Sequence, residues 1–449
     1  MRRWWLLVLA VVVLLAGVGG ALVLRSQGVD VPVVFSSPTA SPDPSRTPVV
    51  PPAANVAPLP TRSGLLSALT PALSNRGLGT RFGLAVIDVT TGTALLEVDA
   101  ARAVTPASTA KIVTAVAALT ALEPDQHFTT RVLQGAPGDL VLVGAGDPML
   151  GGAHAAMGFP RPGTLASLAA QLKGIPVRRV LVDDGLFTGP RLGPGWKPGY
   201  VISGDVAPVS ALEVDEGRTS SKKNHPRAQD PALEAGRQLA ALLHVRTVVR
   251  ERAPAGAAEL AHVDSAPISD LVEAMLTRSD NDLAEALGRQ VAIAAKAPAT
   301  FNGESTAMSS VIGPLLDKLG VPRSGVALQD ASGLSRLDRL RPTALARLLG
   351  LVGRDERYAP MLSGLPVAGF DGTLQKRFRK PPSSAAAGVV RAKTGTLDGV
   401  SALAGLVRTR GGRLLAFDVT ADGVSLTGTL KAQAALDQVA AALAGCGCT

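Results

Sequence analysis

Leu65, Leu66, Leu69 and Leu73 recur at the spacing of one helical face, so foldable sequence begins near Ser63. Apolar residues then fill 82–89 and 94–98 on either side of Thr90-Thr-Gly92, the pattern of a hairpin. The stretch 108–122 is rich in Ala and Val and free of Gly and Pro. With Pro106 just ahead of it, where a helix can begin, it predicts a buried helix. From 123 to 264 the character changes. Short apolar runs at 139–143 and 177–181 alternate with Gly- and Pro-rich turns at 144–148 and 193–199, which predicts a strand-rich insertion. Within it, the polar stretch 215–230 reads as a solvated loop. Helical spacing returns over 268–276, breaks at 278–281 and resumes over 282–295. Strands are predicted at 389–393, 402–407 and 413–419, the last two joined by Gly411 and Gly412, followed by a closing helix over 429–443.

Ahead of the foldable part, residues 4–24 are uncharged and apolar, between Arg2-Arg3 and Arg25. About 20 apolar residues can span a bilayer, and the run exceeds the roughly 7–15 of a cleavable signal core. Residues 1–25 are therefore expected to be a signal anchor, with a cleaved signal peptide as the alternative. Positive charge before the run keeps the N-terminus in the cytoplasm and the rest outside. Residues 26–62, with Pro38, Pro42, Pro44, Pro48, Pro51 and Pro52 among Ser and Thr, have no means of forming a core and read as an extended linker. The expected organisation is 63–122 as the first part of a main domain, 123–264 as inserted domain or domains, and 265–445 as its second part.

Length and composition sharpen this picture. At 449 residues there is room for more than one compact unit, and with 46% apolar but only 3% aromatic residues the core is built from Ala, Val and Leu. The net charge of +9 comes mainly from Arg, with no basic helix interleaved with aromatics, so no nucleic-acid partner is expected. Five scattered histidines, at 127, 154, 225, 244 and 262, show no ligand spacing, and neither a metal nor a cofactor is expected. Cys446 and Cys448 stand too close together to staple a fold and read as part of a frayed tail.

Three short motifs carry the chemistry: Ser108-Thr-Ala-Lys111, Ser279-Asp280-Asn281 and Lys393-Thr394-Gly395. Ser-x-x-Lys alone is weak, since Ser220 to Lys223 repeats it in a polar loop. The three together, in order and each in fitting local structure, are not. Residues three apart share a helix face, so the Lys111 amine can reach the Ser108 hydroxyl. A helix start also supplies unpaired N–H groups that stabilise negative charge. A serine hydroxyl needs a base, and no histidine accompanies any motif, so Lys111 is the candidate. Burial and a nearby cation, for which Lys393 is the candidate, would lower its pKa and leave its amine neutral.

At these residues the sequence resembles the class C low-molecular-mass penicillin-binding proteins, D-alanyl-D-alanine carboxypeptidases and endopeptidases of the serine β-lactamase-like superfamily. The likeness spans about 63–443 and includes Gly144-Ala-Gly-Asp-Pro148, Asp183-Asp-Gly-Leu-Phe187 with Gly195-Trp196, Asp330-Ala-Ser-Gly333, Leu365-Pro-Val-Ala-Gly369 and Gly372-Thr373. Lys111 and Ser279 are 168 positions apart, room for the extra domains this family carries there. The resemblance implies an α/β sandwich with a five-stranded antiparallel sheet flanked by helices. It also implies roles: Ser108 as the acylated nucleophile, Lys111 as general base, Ser279 as proton relay to the leaving D-alanine and Asn281 on the substrate amide. Lys393 would supply positive charge, and Thr394 and Thr396, beside Gly395, would hold the terminal carboxylate. The N–H groups of Ser108 and Thr396 would form an oxyanion hole. Peptidoglycan peptides ending in D-Ala-D-Ala are the implied substrates and β-lactams the implied covalent inhibitors. A serine β-lactamase and a non-catalytic cell-wall binding protein are the competing readings.

Overall fold

The computed structural model describes residues 57–154, 159–222 and 224–448. The apolar run 4–24 and most of the linker lie outside the described residues. Among the described residues, no helix is long and apolar enough to cross a membrane.

The central sheet is antiparallel throughout, in the order β2-β1-β10-β9-β8. Its strands are β1 (Phe82–Asp88), β2 (Ala94–Val98), β8 (Val390–Leu397), β9 (Val400–Arg408) and β10 (Leu414–Ala421). Alternation sorts the side chains into two cores. Leu84 and Val86 of β1, with Leu415 and Phe417 of β10, pack under helices α1 (Arg62–Leu73) and α10 (Thr429–Gly445). Ala85, Ile87 and Ala416 face the opposite layer. Because both faces are covered, every residue of β10 and all but the last of β9 are buried.

At the centre of that opposite layer is α2 (Ala110–Ala121), in which every residue from Ala110 to Leu119 is buried. A helix buried all round has to be surrounded. It is enclosed by α5 (Ile268–Arg278), α6 (Asn281–Ala294), α7 (Phe301–Lys318) and α8 (Pro342–Val352), with α9 (Ala359–Gly364) packed on α5. The small side chains on α2 allow that close approach.

Between the two halves of the sandwich, residues 123–264 hold a second sheet ordered β6-β5-β4-β3-β7. It comprises β3 (Thr129–Gln134), β4 (Asp139–Val143), β5 (Arg179–Asp183), β6 (Thr247–Arg250) and β7 (Glu259–Asp264). β3 pairs antiparallel with β4 and β7, whereas β4–β5 and β5–β6 are parallel. Parallel neighbours need crossovers. They are made by α3 (Leu165–Gln171) and α4 (Pro231–Leu242), whose Leu165, Leu168 and Leu239 fill the core beneath the sheet. The insertion is thus α/β, with helices in addition to the strands that its apolar runs predict.

Two expectations fail. The stretch 215–230 is not uniformly solvated, because Asp215, Glu216 and Arg227 are buried, Glu216 and Arg227 in ion pairs and Asp215 accepting the Gly152 and His154 N–H groups. Nor is the C-terminus frayed. Cys446 is buried and disulfide-bonded to Cys448, whose carbonyl accepts the Thr61 N–H at 2.8 Å and ties the tail to the start of α1.

Candidate active site

Ser108 sits in a single 3₁₀ turn, Ala107–Thr109, at the foot of α2. Two glycines permit its placement. Gly333 (φ +79°) lies so close that a Cβ there would meet the Ala107 carbonyl oxygen at 2.0 Å. On the β8 side, a Cβ at Gly395 would lie 2.7 Å from the Pro106 carbonyl oxygen. The serine turn is therefore wedged between the 330–335 loop and β8. One helical turn on, the fully buried Lys111 Nζ donates to Ser108 Oγ (3.2 Å), Asn281 Oδ1 (2.7 Å) and the Ser332 carbonyl (2.6 Å).

The second motif is the break between α5 and α6. Ser279 closes α5 in the left-handed conformation (φ +60°), and Asp280 caps α6 by accepting the Leu283 N–H at 3.0 Å. That sharp turn aims Ser279 and Asn281 at the foot of α2. Ser279 Oγ accepts from Lys393 Nζ at 2.7 Å, and Lys393 also donates to the Thr394 carbonyl at 2.8 Å. Asn281 Nδ2 donates to the Asp205 carbonyl of the insertion at 2.8 Å. Hydrogen bonds thus join Ser108, Lys111 and Asn281 on one side and Ser279 and Lys393 on the other, and the single turn 279–281 brings the two groups together.

Lys393, Thr394, Gly395 and Thr396 lie on β8, the last strand of the sheet, paired along its length with β9 and bridged on its other side to Val367 only through Arg391 near its start. Lys393 and Gly395 point to one face, Thr394 and Thr396 to the other. The Thr394 hydroxyl donates to that of Thr373 at 2.8 Å, and the exposed Thr396 hydroxyl accepts from Gln433 Nε2 at 3.4 Å. The second Ser-x-x-Lys stretch stays apart: Ser220 lies in a surface loop and Lys223 lies outside the described residues.

Burial lowers the Lys111 pKa to about 8, against the opposing pull of Asp330, Glu285, Asp280 and Asp282. Lys393 is not the cause of that shift. Its own amine is held well below the usual lysine range, by burial first and by the Lys111 charge second. Among the described residues, the Lys393 amine has a hydroxyl and a carbonyl as its hydrogen-bond partners and no carboxylate.

Several groups of the site carry no signal in the three motifs. Asp330 accepts from Trp196 Nε1 (2.6 Å) and from the N–H groups of Gly333 and Ser335 (both 2.7 Å), which shapes the loop that presents the Ser332 carbonyl to Lys111. Glu285, buried on α6, accepts the Ser332 N–H at 2.9 Å. The Asp330-Ala-Ser-Gly333 run signals a side-chain-stabilised turn, though not its purpose. Among the described residues, Glu216, Asp280 and Asp282 bring carboxylate oxygens within 4.8 Å of one another. Arg218, Arg227 and Arg278 surround them and supply the positive charge that a cation would.

The family of D-Ala-D-Ala carboxypeptidase 3 (S13) matches residues 65–228 and 220–443. The carboxypeptidase DacB of Mycolicibacterium smegmatis is 38% identical over 424 residues, covering 92% of this chain and 90% of that protein. The D-alanyl-D-alanine carboxypeptidase of an Actinomadura species is 28% identical over 447 residues, covering 79% and 80%. The crystal structure of penicillin binding protein 4 from Haemophilus influenzae matches with a TM-score of 0.67 at 25% identity, covering 85% of this chain and 98% of that one. The five-stranded sandwich, the linked motifs and these likenesses agree: the chain belongs to the D-Ala-D-Ala carboxypeptidase 3 (S13) family.

Proposed function

We propose that Ser108 is the nucleophile with which this serine carboxypeptidase cuts the terminal D-Ala-D-Ala bond of peptidoglycan stem peptides. The observation that carries this reading is the Lys111 amine, buried, 3.2 Å from Ser108 Oγ and with a pKa near 8. In its neutral form Lys111 takes the Ser108 proton as Oγ bonds to the carbonyl carbon of the penultimate D-alanine. The peptide C–N bond then breaks. The departing nitrogen receives a proton through Ser279, which Lys393 holds by a hydrogen bond. Water cleaves the resulting ester and restores the Ser108 hydroxyl.

Asn281 would orient the substrate amide, and the Ser108 and Thr396 N–H groups would hold the oxyanion, each worth about 3 kcal/mol to the transition state. The substrate's terminal carboxylate would be held by Thr394 and Thr396, with Lys393 contributing positive charge from the other face of β8. The carboxylate's charge would raise the Lys393 pKa again. β-Lactams would acylate the same serine. In this reading the catalytic part lies outside the cytoplasm, with residues 1–25 as its membrane anchor.

D-Alanine release from a pentapeptide ending in D-Ala-D-Ala, with mass mapping after a penicillin soak, tests this. The expected result is release by the wild type, none by Ser108→Ala, and a long-lived adduct on the peptide containing Ser108. Labelling elsewhere would sink the assignment, and rapid turnover of the adduct would point to a β-lactamase instead.

A further inference from the structure

The Ser279-Asp280-Asn281 turn is held from outside the sandwich as well as from within. Residues 204–228 of the insertion run against it and touch each residue from 280 to 282. The Asp205 carbonyl accepts from Asn281 Nδ2 at 2.8 Å, and the Ala207 N–H donates to Asp282 Oδ1 at 2.7 Å. Arg227 approaches Asp282 at 3.6 Å. Glu216 and Asp280 bring carboxylate oxygens within 4.8 Å of each other, and the Arg278 guanidinium pairs with both, at 3.3 and 3.5 Å. Burial pushes the Glu216 pKa up to about 8, whereas the Arg278 charge and the Leu283 N–H help to hold Asp280 below its ordinary value.

The backbone is distorted to deliver this contact. Asp215, Glu216 and Gly217 have φ of +55°, +56° and +64°, three successive left-handed residues of which only one is glycine. Non-glycine residues persist in that region only where their surroundings force them to. Here the Glu216 N–H donates to the Pro148 carbonyl at 2.7 Å, and the Glu216 carbonyl accepts from Arg227. The other charged groups facing the Glu216 carboxyl are Arg218 and Arg227 from the same loop and Arg278 from the end of α5, with Asp282 and Glu213 close behind.

We propose that Glu216, carried by the insertion, is a positioning residue for the catalytic turn: through Asp280 it fixes the cap of α6 and with it the placement of Ser279 and Asn281. The inserted region then has a part in catalysis without touching substrate. This rests on Ser108 being the acylated residue, which penicillin labelling of the wild type establishes separately.

The test compares the wild type with Glu216→Ala and Glu216→Gln in the full chain, with rates normalised to folded protein. Glu216→Ala is expected to lower kcat and the penicillin acylation rate about tenfold or more, with KM changed less than about threefold, since small displacements of catalytic groups cost this much. Glu216→Gln keeps the side chain's length and an acceptor for Arg278 and is expected to return the rate to within about threefold of wild type. A Glu216→Ala protein that acylates at the wild-type rate, or a Glu216→Gln protein as slow as it, overturns the proposal. Should Glu216→Ala not fold, Glu216→Asp decides: its shorter carboxylate should acylate about tenfold more slowly than wild type, and a wild-type rate overturns the proposal.

Discussion

Gly333→Ala should disable acylation far more than it destabilises the fold. Gly333 has φ +79°, so any side chain there adds a strain of about 1–2 kcal/mol. The larger effect is steric. The new Cβ would stand 2.0 Å from the Ala107 carbonyl oxygen, 2.6 Å from its carbon and 3.0 Å from Ala110 Cβ. Clearing the oxygen requires the two segments to part by about 1 Å, and Ala107 immediately precedes Ser108. The serine turn has no room to retreat towards β8, where Gly395 already packs against the Pro106 carbonyl. A 1 Å displacement of a reacting group costs on the order of a hundredfold in rate. Gly174→Ala is the control, because Gly174 has a similar φ of +87° but nothing within 4 Å of the added Cβ. Acylation by a fluorescent penicillin, followed beside thermal melts, separates the two effects. Both variants are expected to melt a few degrees lower, while only Gly333→Ala loses about two orders of magnitude in acylation rate. If Gly333→Ala acylates as fast as Gly174→Ala, the serine is not positioned through this contact and the wedge argument is wrong.

Two further outcomes follow from buried titrating groups. The base is the neutral form of Lys111, so the acylation rate should climb about tenfold per pH unit below pH 7 and level off near pH 8, where its pKa lies. A flat profile from pH 6 to 8 in stopped-flow acylation would remove Lys111 from that role. Asp418, fully buried on β10 with Thr420 as its hydrogen-bond partner at 3.0 Å, has its pKa raised by burial to about 8. Between about pH 4 and 8 the native state keeps a proton that the unfolded chain has released, so stability falls as pH rises through that window. Asp418→Asn removes this slope. Its melting temperature should exceed that of the wild type by more at pH 8 than at pH 5, and an equal difference at both would show that Asp418 does not titrate in this way.

What the sequence discloses of this site and what it conceals divide along a physical line. Ser108 and Lys111 are legible because their relation is local, three residues along a helix, and Lys393 to Thr396 because they continue a strand. The break at Ser279 and Asp280 is equally local, a left-handed cap followed by an aspartate cap. The groups that complete the site are not legible in this way. The Ser332 and Asp205 carbonyls that orient Lys111 and Asn281 are backbone acceptors, present at every residue and so without a signature in side-chain identity. Their positions depend on the Asp330 turn and on the insertion, and both are fixed by tertiary packing. The electrostatics misled for the same reason. Counting motif charges alone makes Lys393 the cation that tunes Lys111, whereas in the fold burial tunes both amines and four carboxylates oppose the shift at Lys111. Polarity misled at 215–218 as well, since a run of charged residues reads as solvated until its partners, Arg278 and Asp280 some 60 positions away, are brought against it. A buried ion network has the composition of a loop. Only the geometry separates the two, and here it turns an expected surface segment into a support for the catalytic turn.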